Sequence, residues 1–176
     1  MLFVMKIFKE LLIIAFISIG FMTTSLSDDL KLTDKNTEVN FYSGMFDFSD
    51  NGKRSVLIGL QHQNEDLFRE SFLGTLSPIT GAMITADNAA YFYTGVQAQY
   101  KIGIFDVTPS FTPGIYEKGD GKDLGHLVEF KSEVQLSFNL SKNSMFGMSY
   151  NHISNASLGD KNPGVNSYSF NFLKKF

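Results

Sequence analysis

The sequence predicts an all-β fold: an eight-stranded antiparallel transmembrane β-barrel of the outer-membrane type, preceded by a cleaved signal peptide. Three observations carry this expectation. The N-terminus has the make-up of an export signal. The remainder falls into about eight segments of period-two character, with no convincing amphipathic helix among them. The connections alternate between tight turns and longer polar loops, which is how outer-membrane barrels join their strands.

Composition sets the outer limits. A chain of 176 residues is most simply one domain. It has no cysteine, so neither a disulfide framework nor a thiolate metal site is available. The net charge of −3 comes without a basic cluster, which gives no electrostatic footprint for nucleic acid. Eighteen Phe and seven Tyr make the chain aromatic-rich while its mean hydropathy stays near zero. A barrel whose apolar residues are diluted by lumenal polar ones has this composition, and so does a compact soluble core.

At the N-terminus, Lys6 and Lys9 precede the apolar run from Leu11 to Met22, which has the length of a signal-peptide core and is short for a membrane span. Thr23 to Ser27 supply small residues for cleavage. Residues 1–27 are therefore expected to be a signal peptide and 28–176 the mature barrel, outside the cytoplasm.

After a polar lead-in, Asp28 to Lys35, the first segment runs from Val39 to Phe48 and closes on the turn signal Ser49-Asp-Asn-Gly52. In the second, Ser55 to Gln63, Val56, Ile58 and Leu60 alternate with Leu57, Gly59 and Gln61. The third spans about Phe72 to Thr85. In the fourth, Tyr91 to Tyr100, Phe92, Val96 and Tyr100 oppose Tyr93, Gln97 and Gln99. The fifth interleaves Phe105, Val107, Pro109, Phe111, Pro113 and Ile115 with Asp106, Thr108, Ser110 and Thr112. Its two prolines each remove a ladder donor, so a local irregularity is expected there. The sixth sets Val128, Phe130, Val134, Leu136, Phe138 and Leu140 against Glu129, Lys131, Glu133 and Gln135. The seventh is Met145 to Asn155 and the eighth Val165 to Phe176.

Lys101 to Gly103 and Ser141 to Asn143 read as tight turns; Asp50 to Arg54, Glu117 to His126 and Ser157 to Gly164 read as longer loops. Asn64 to Arg69 falls where a tight turn is due and is too long for one. The last strand places Asn166, Tyr168, Phe170, Phe172 and Phe176 on one face, and its aromatic end resembles the signal read by the barrel-assembly machinery of Gram-negative bacteria. A soluble sandwich or lipocalin-like barrel would turn the same apolar faces inward. An eight-stranded barrel is filled by its own side chains, so no pore is expected.

The seventh strand holds the stretch with chemistry in it. His152 and Ser154 continue the parity of Phe146, Met148 and Tyr150, which faces lipid. On a strand their side chains originate about 6.6 Å apart on one face. A serine within reach of an imidazole is the minimum for nucleophilic acyl transfer. Both lie toward the outer rim, and polar groups on a lipid face are costly enough to suggest a function.

The run Asn151-His-Ile-Ser-Asn-Ala156, with the Gly159-Asp-Lys-Asn-Pro-Gly164 loop and Gly164-Val-Asn-Ser-Tyr168 after it, resembles the lipid A 3-O-deacylase (PagL) family and its acyloxyacyl-hydrolase relatives. The resemblance is specific over about the last thirty residues. It implies an outer-membrane barrel carrying a Ser-His-Glu triad on its lipid-facing surface. By place in the motif, His152 corresponds to the general base, Ser154 to the nucleophile and Asn155 to a residue of the oxyanion hole. The acidic member comes fourteen residues after the histidine, where this chain has Asn166. An asparagine can orient an imidazole but lacks the charge that stabilises an imidazolium. Asp160, on the loop, is an alternative acid, though nothing in its spacing compels that role.

The resemblance implies a carboxylic-ester hydrolase removing an acyl chain, 3-O-linked, from lipid A in the outer leaflet of a Gram-negative outer membrane. The alternative is a catalytically weak or inactive relative serving as a structural or adhesion barrel. Lipid A or lipopolysaccharide would be the substrate, with the barrel-assembly machinery as a partner during insertion and a second copy of the chain as a further candidate partner. No cofactor and no metal are implied, the three histidines showing no ligand spacing. Lys53, Arg54, Lys118, Lys122 and Lys161, in the outward loops, are candidates to meet lipid A phosphates.

Overall fold

A computed structural model describes residues 37–50, 52–64, 69–71 and 74–176. The expected signal peptide and the polar lead-in lie outside these residues. Ten strand segments follow one another: β1 (Thr37–Phe46), β2 (Ser55–Asn64), β3 (Arg69–Ser71), β4 (Gly74–Thr85), β5 (Ala90–Ala98), β6 (Tyr100–Ile102), β7 (Phe105–Glu117), β8 (Val128–Ser141), β9 (Ser144–Ser154) and β10 (Val165–Lys175). All pairings are antiparallel. β1 pairs both β2 and β10, and β2 also pairs β4, which closes the sheet on itself. β3 lies against β4 beyond the end of β2, and β6 against β7 beyond the end of β5. The ten segments are thus eight walls of a closed barrel, as the alternation predicts.

The two departures from regularity have local causes. Gln63 pairs Ile79 and Arg69 pairs Leu76, so six residues of one wall are spanned by three of its neighbour. Across the anomalous stretch Asn64 to Arg69 the register against β4 therefore shifts by three residues. Beyond it Ser71 pairs Gly74. The second departure sits at the prolines. β7 pairs β8 without a break from Phe105↔Phe138 to Ile115↔Val128, yet on its other side the partners expected for Pro113 and Pro109, Thr94 and Ala98, are unpaired. The two prolines share parity, so both missing N–H groups face β5, and the β5–β6 interruption falls there.

The sides of the wall decide between a membrane barrel and a soluble one. Glu129, Lys131 and Asn171 are inside and at most 2% exposed, while Phe92 is 63%, Ile115 54% and Val134 53% exposed outside. A contiguous apolar exterior of this kind belongs in hydrocarbon. The interior is packed with polar side chains, many of them hydrogen-bonded to one another, while both Glu129 carboxyl oxygens have no hydrogen-bond partner among the described residues. Lys131 Nζ lies 4.0 Å from the Tyr93 ring centroid and 3.5 Å from Glu133. Tyr93 and Tyr42 hydroxyls meet at 3.0 Å, Tyr93 donates to Gln61, and Asn40 donates to Gln135 and Asn171. One rim of the barrel carries residues 47–50, 52–54, 86–89, 118–127 and 155–164. The other carries the tight turns at 103–104 and 142–143.

Candidate active site

β9 climbs toward the long-loop rim, and its last turn of alternation positions the site. His152 is in register with Ser132 of β8 on one side and Asn166 of β10 on the other; Ser154 is in register with Phe130. His152 is exposed on the outer face, with Ser154 and Asn166 half-buried, whereas Ile153 and Asn155 point inward and are buried. The parity that places His152, Ser154 and Asn166 together on the lipid-facing side holds.

Asn166 and His152 are hydrogen-bonded, His152 Nδ1 to Asn166 Oδ1 at 2.8 Å. An amide oxygen only accepts, so this contact calls for the proton on Nδ1. The Tyr150 hydroxyl donates to the same Oδ1 at 2.8 Å, and Asn166 Nδ2 reaches Ser49 Oγ at 3.5 Å. Phe48 packs against both Tyr150 (6.2 Å between ring centroids) and Tyr168 (5.5 Å), and its N–H donates to the Asn166 carbonyl. Gly164 closes the other side of the imidazole. A Cβ there would stand 2.9 Å from His152 Cε1 and 3.3 Å from Nε2, and φ is +60°. No hydrogen bond joins Ser154 Oγ to His152 among the described residues, and none joins Asp160 to His152.

Asn155 does not present its side chain to this face. Its Nδ2 donates to the carbonyls of Leu124 and Lys161, both at 2.8 Å, and its N–H donates to Asn162 Oδ1. Both amide hydrogens are thus committed to tying the 118–127 loop to the 155–164 loop. After Asn155, Ala156 (φ 51°) and Ser157 (φ 64°) are left-handed and Leu158 N–H closes the turn on the Asn155 carbonyl at 2.9 Å. Two consecutive non-glycine residues in that region are strained. Their N–H groups make no hydrogen bond within the described residues and follow Ser154 by two and three positions.

The loop cations fall into two sets. Lys122 is bound to Asp47 at 2.8 Å and Asp50 at 3.4 Å, and Lys161 and Lys118 both approach Asp123, at 2.9 and 3.9 Å. The Lys161 hydrogen bond, then the Gly125 N–H, hold the Asp123 carboxyl below its ordinary value; the Gly52 N–H and then Lys122 do the same for Asp50. Lys53 and Arg54 are exposed and have no ion pair among the described residues. Among those residues no group of His, Asp or Glu is arranged to hold a metal. His126 instead accepts from the Val128 N–H.

Tyr150 and Ser49 belong to the site and are not singled out by motif spacing; Gly164, the end of the loop named in the resemblance, belongs to it as well. Parity alone could have found Tyr150, which precedes His152 by two on the same face and diagonal to Asn166. Ser49 comes from a distant loop, and only closure of β1 against β10 brings it there.

The sequence model of the family described as lipid A 3-O-deacylase (PagL) matches residues 58–175. Among solved structures, the crystal structure of the outer membrane enzyme PagL superposes with a TM-score of 0.59 at 16% identity, covering 78% of this chain and 98% of that one. A de novo designed transmembrane β-barrel superposes with a TM-score of 0.54 at 10% identity, covering 82% and 98%. No curated protein matches the chain.

Proposed function

Because the chain belongs to the lipid A 3-O-deacylase (PagL) family, we propose that it is an ester hydrolase of the outer membrane that removes the 3-O-linked acyl chain from lipid A in the outer leaflet. The observation that carries this reading is the 2.8 Å bond from His152 Nδ1 to Asn166 Oδ1 on the outer face, which leaves Nε2 free to accept a proton two residues from Ser154. Ser154 Oγ turns toward Nε2 when the ester is seated; catalytic contacts of this kind commonly tighten only with substrate bound. Its proton passes to His152 as Oγ attacks the ester carbonyl, and collapse of the tetrahedral intermediate gives an acyl-serine while His152 returns the proton to the leaving alkoxide. Water, deprotonated by His152, then releases the fatty acid and restores Ser154.

The oxyanion is stabilised by the backbone N–H groups of Ala156 and Ser157, and Asn155 contributes by holding the turn that presents them. Asn166 orients His152 without supplying charge. Lys53 and Arg54, exposed and outside the ion pairs that hold Lys118, Lys122 and Lys161, meet the phosphates of the glycolipid headgroup. A substrate diffusing in the bilayer plane reaches this face without entering the packed lumen.

The test is mass spectrometry of lipid A from cells expressing the protein, beside a Ser154→Ala control. Loss of one hydroxyacyl chain, absent in the control, is expected. Unchanged lipid A from protein folded in the outer membrane would favour the second reading, a structural barrel in which Asn166 records lost catalysis.

A further inference from the structure

We propose that Tyr150 is a positioning residue that fixes which end of the Asn166 amide meets His152, and thereby selects the imidazole tautomer able to act as a base; this rests on the hydrolase reading above. A carboxylate can only accept, so it presents the same chemistry to an imidazole however it is turned. An amide has two unlike ends. With Oδ1 toward Nδ1, the proton sits on Nδ1 and Nε2 is a base. With Nδ2 toward Nδ1, the ring must accept there, Nε2 is protonated, and the serine has no base. In Ser-His-Asp triads, asparagine in the acid position costs about 10⁴ in rate through that wrong tautomer.

Here the amide stands the right way round, and Tyr150 makes reversal unfavourable. Its hydroxyl donates to Asn166 Oδ1 at 2.8 Å, the same atom that meets His152 Nδ1 at 2.8 Å. Turning the amide over would place Nδ2 hydrogens against that hydroxyl. The Tyr150 proton would then lose the acceptor it has, since among the described residues its hydroxyl bonds to nothing else and its ring lies against Phe48 and the lipid-facing exterior. Ser49, at 3.5 Å from Nδ2, sits on the other end and its hydroxyl tolerates either orientation. Tyr150 is therefore the group that discriminates.

The first test reads the tautomer and needs no turnover. The chain has three histidines, so protein labelled with ¹⁵N-histidine and folded in micelles gives three imidazoles, with His152 identified by its loss in His152→Gln. The native protein is expected to show His152 protonated on Nδ1 alone, and Tyr150→Phe to show a mixture with the Nε2–H form. The second test measures kcat in two backgrounds. Tyr150→Phe is expected to lower kcat about ten-fold with KM unchanged in the native protein, and to change it by less than about two-fold in Asn166→Glu, where no end needs selecting. An unaltered tautomer in Tyr150→Phe, or an equal loss in both backgrounds, overturns the proposal. If none of the proteins turns over lipid A, the hydrolase reading fails while the tautomer measurement still decides the role of Tyr150.

Discussion

Gly164 carries two constraints at once. Its φ of +60° suits glycine, and its Cα lies against the Cε1–Nε2 edge of His152, where a methyl group would need the ring to move. Gly164→Ala is expected to lower the rate of acyl release by roughly 10²-fold, the cost of misplacing a reacting group by about 1 Å. It should also cost about 1 kcal/mol in stability for the left-handed backbone. Activity and unfolding measured on the same preparation check both, and a variant of native rate would show that the imidazole does not depend on this contact. At this scale parity made the grouping of His152, Ser154 and Asn166 legible, because strand spacing fixes faces. The commitments of individual hydrogens were not legible. That Asn155 gives its amide to Leu124 and Lys161, and that Tyr150 shares an acceptor with His152, depend on how side chains reach across strands, which spacing does not encode.

Between elements, the two loops that flank the site are clasped. Asp123 and Lys161 join the 118–127 and 155–164 loops at 2.9 Å, beside the paired carbonyls that Asn155 holds. The folded-state pKa of Asp123 is depressed below its ordinary 3.8, so its contribution is present above that value and is lost as pH falls through the lower folded one. Amide hydrogen exchange at Gly125 and Leu158 is therefore expected to quicken below about pH 3.8, and in Asp123→Asn to be quick at neutral pH as well. Protection that is unchanged in Asp123→Asn would assign the clasp to Asn155 alone. The strands themselves were legible because one face of each meets lipid and the other polar side chains, giving alternation its contrast. What alternation could not give was the three-residue shift in register against β4 across Asn64 to Arg69, visible in the sequence only as a turn of the wrong length. The prolines of β7 did announce an irregularity, though not the side on which it falls.

Across the whole molecule the barrel is inside-out relative to a soluble one, and its lumen rests on a buried cation. Lys131, 1% exposed, is held by Glu133 and two tyrosine rings. Lys131→Met leaves the Glu133 carboxylate buried without that cation and is expected to destabilise the barrel by about 3 kcal/mol or more. Unfolding from lipid vesicles in denaturant measures this, and a loss below about 1 kcal/mol would mean that Asn151 alone compensates Glu133. The outward aspect of His152 and Asn166 sets the arena for any reaction they carry out. Reactants meet there on a surface of fixed area, so the governing quantity is the mole fraction of lipid A in the leaflet, and its molarity in the tube is irrelevant. Diluting the bilayer with inert lipid should slow acyl release at constant total substrate. Diluting the whole suspension with buffer should not.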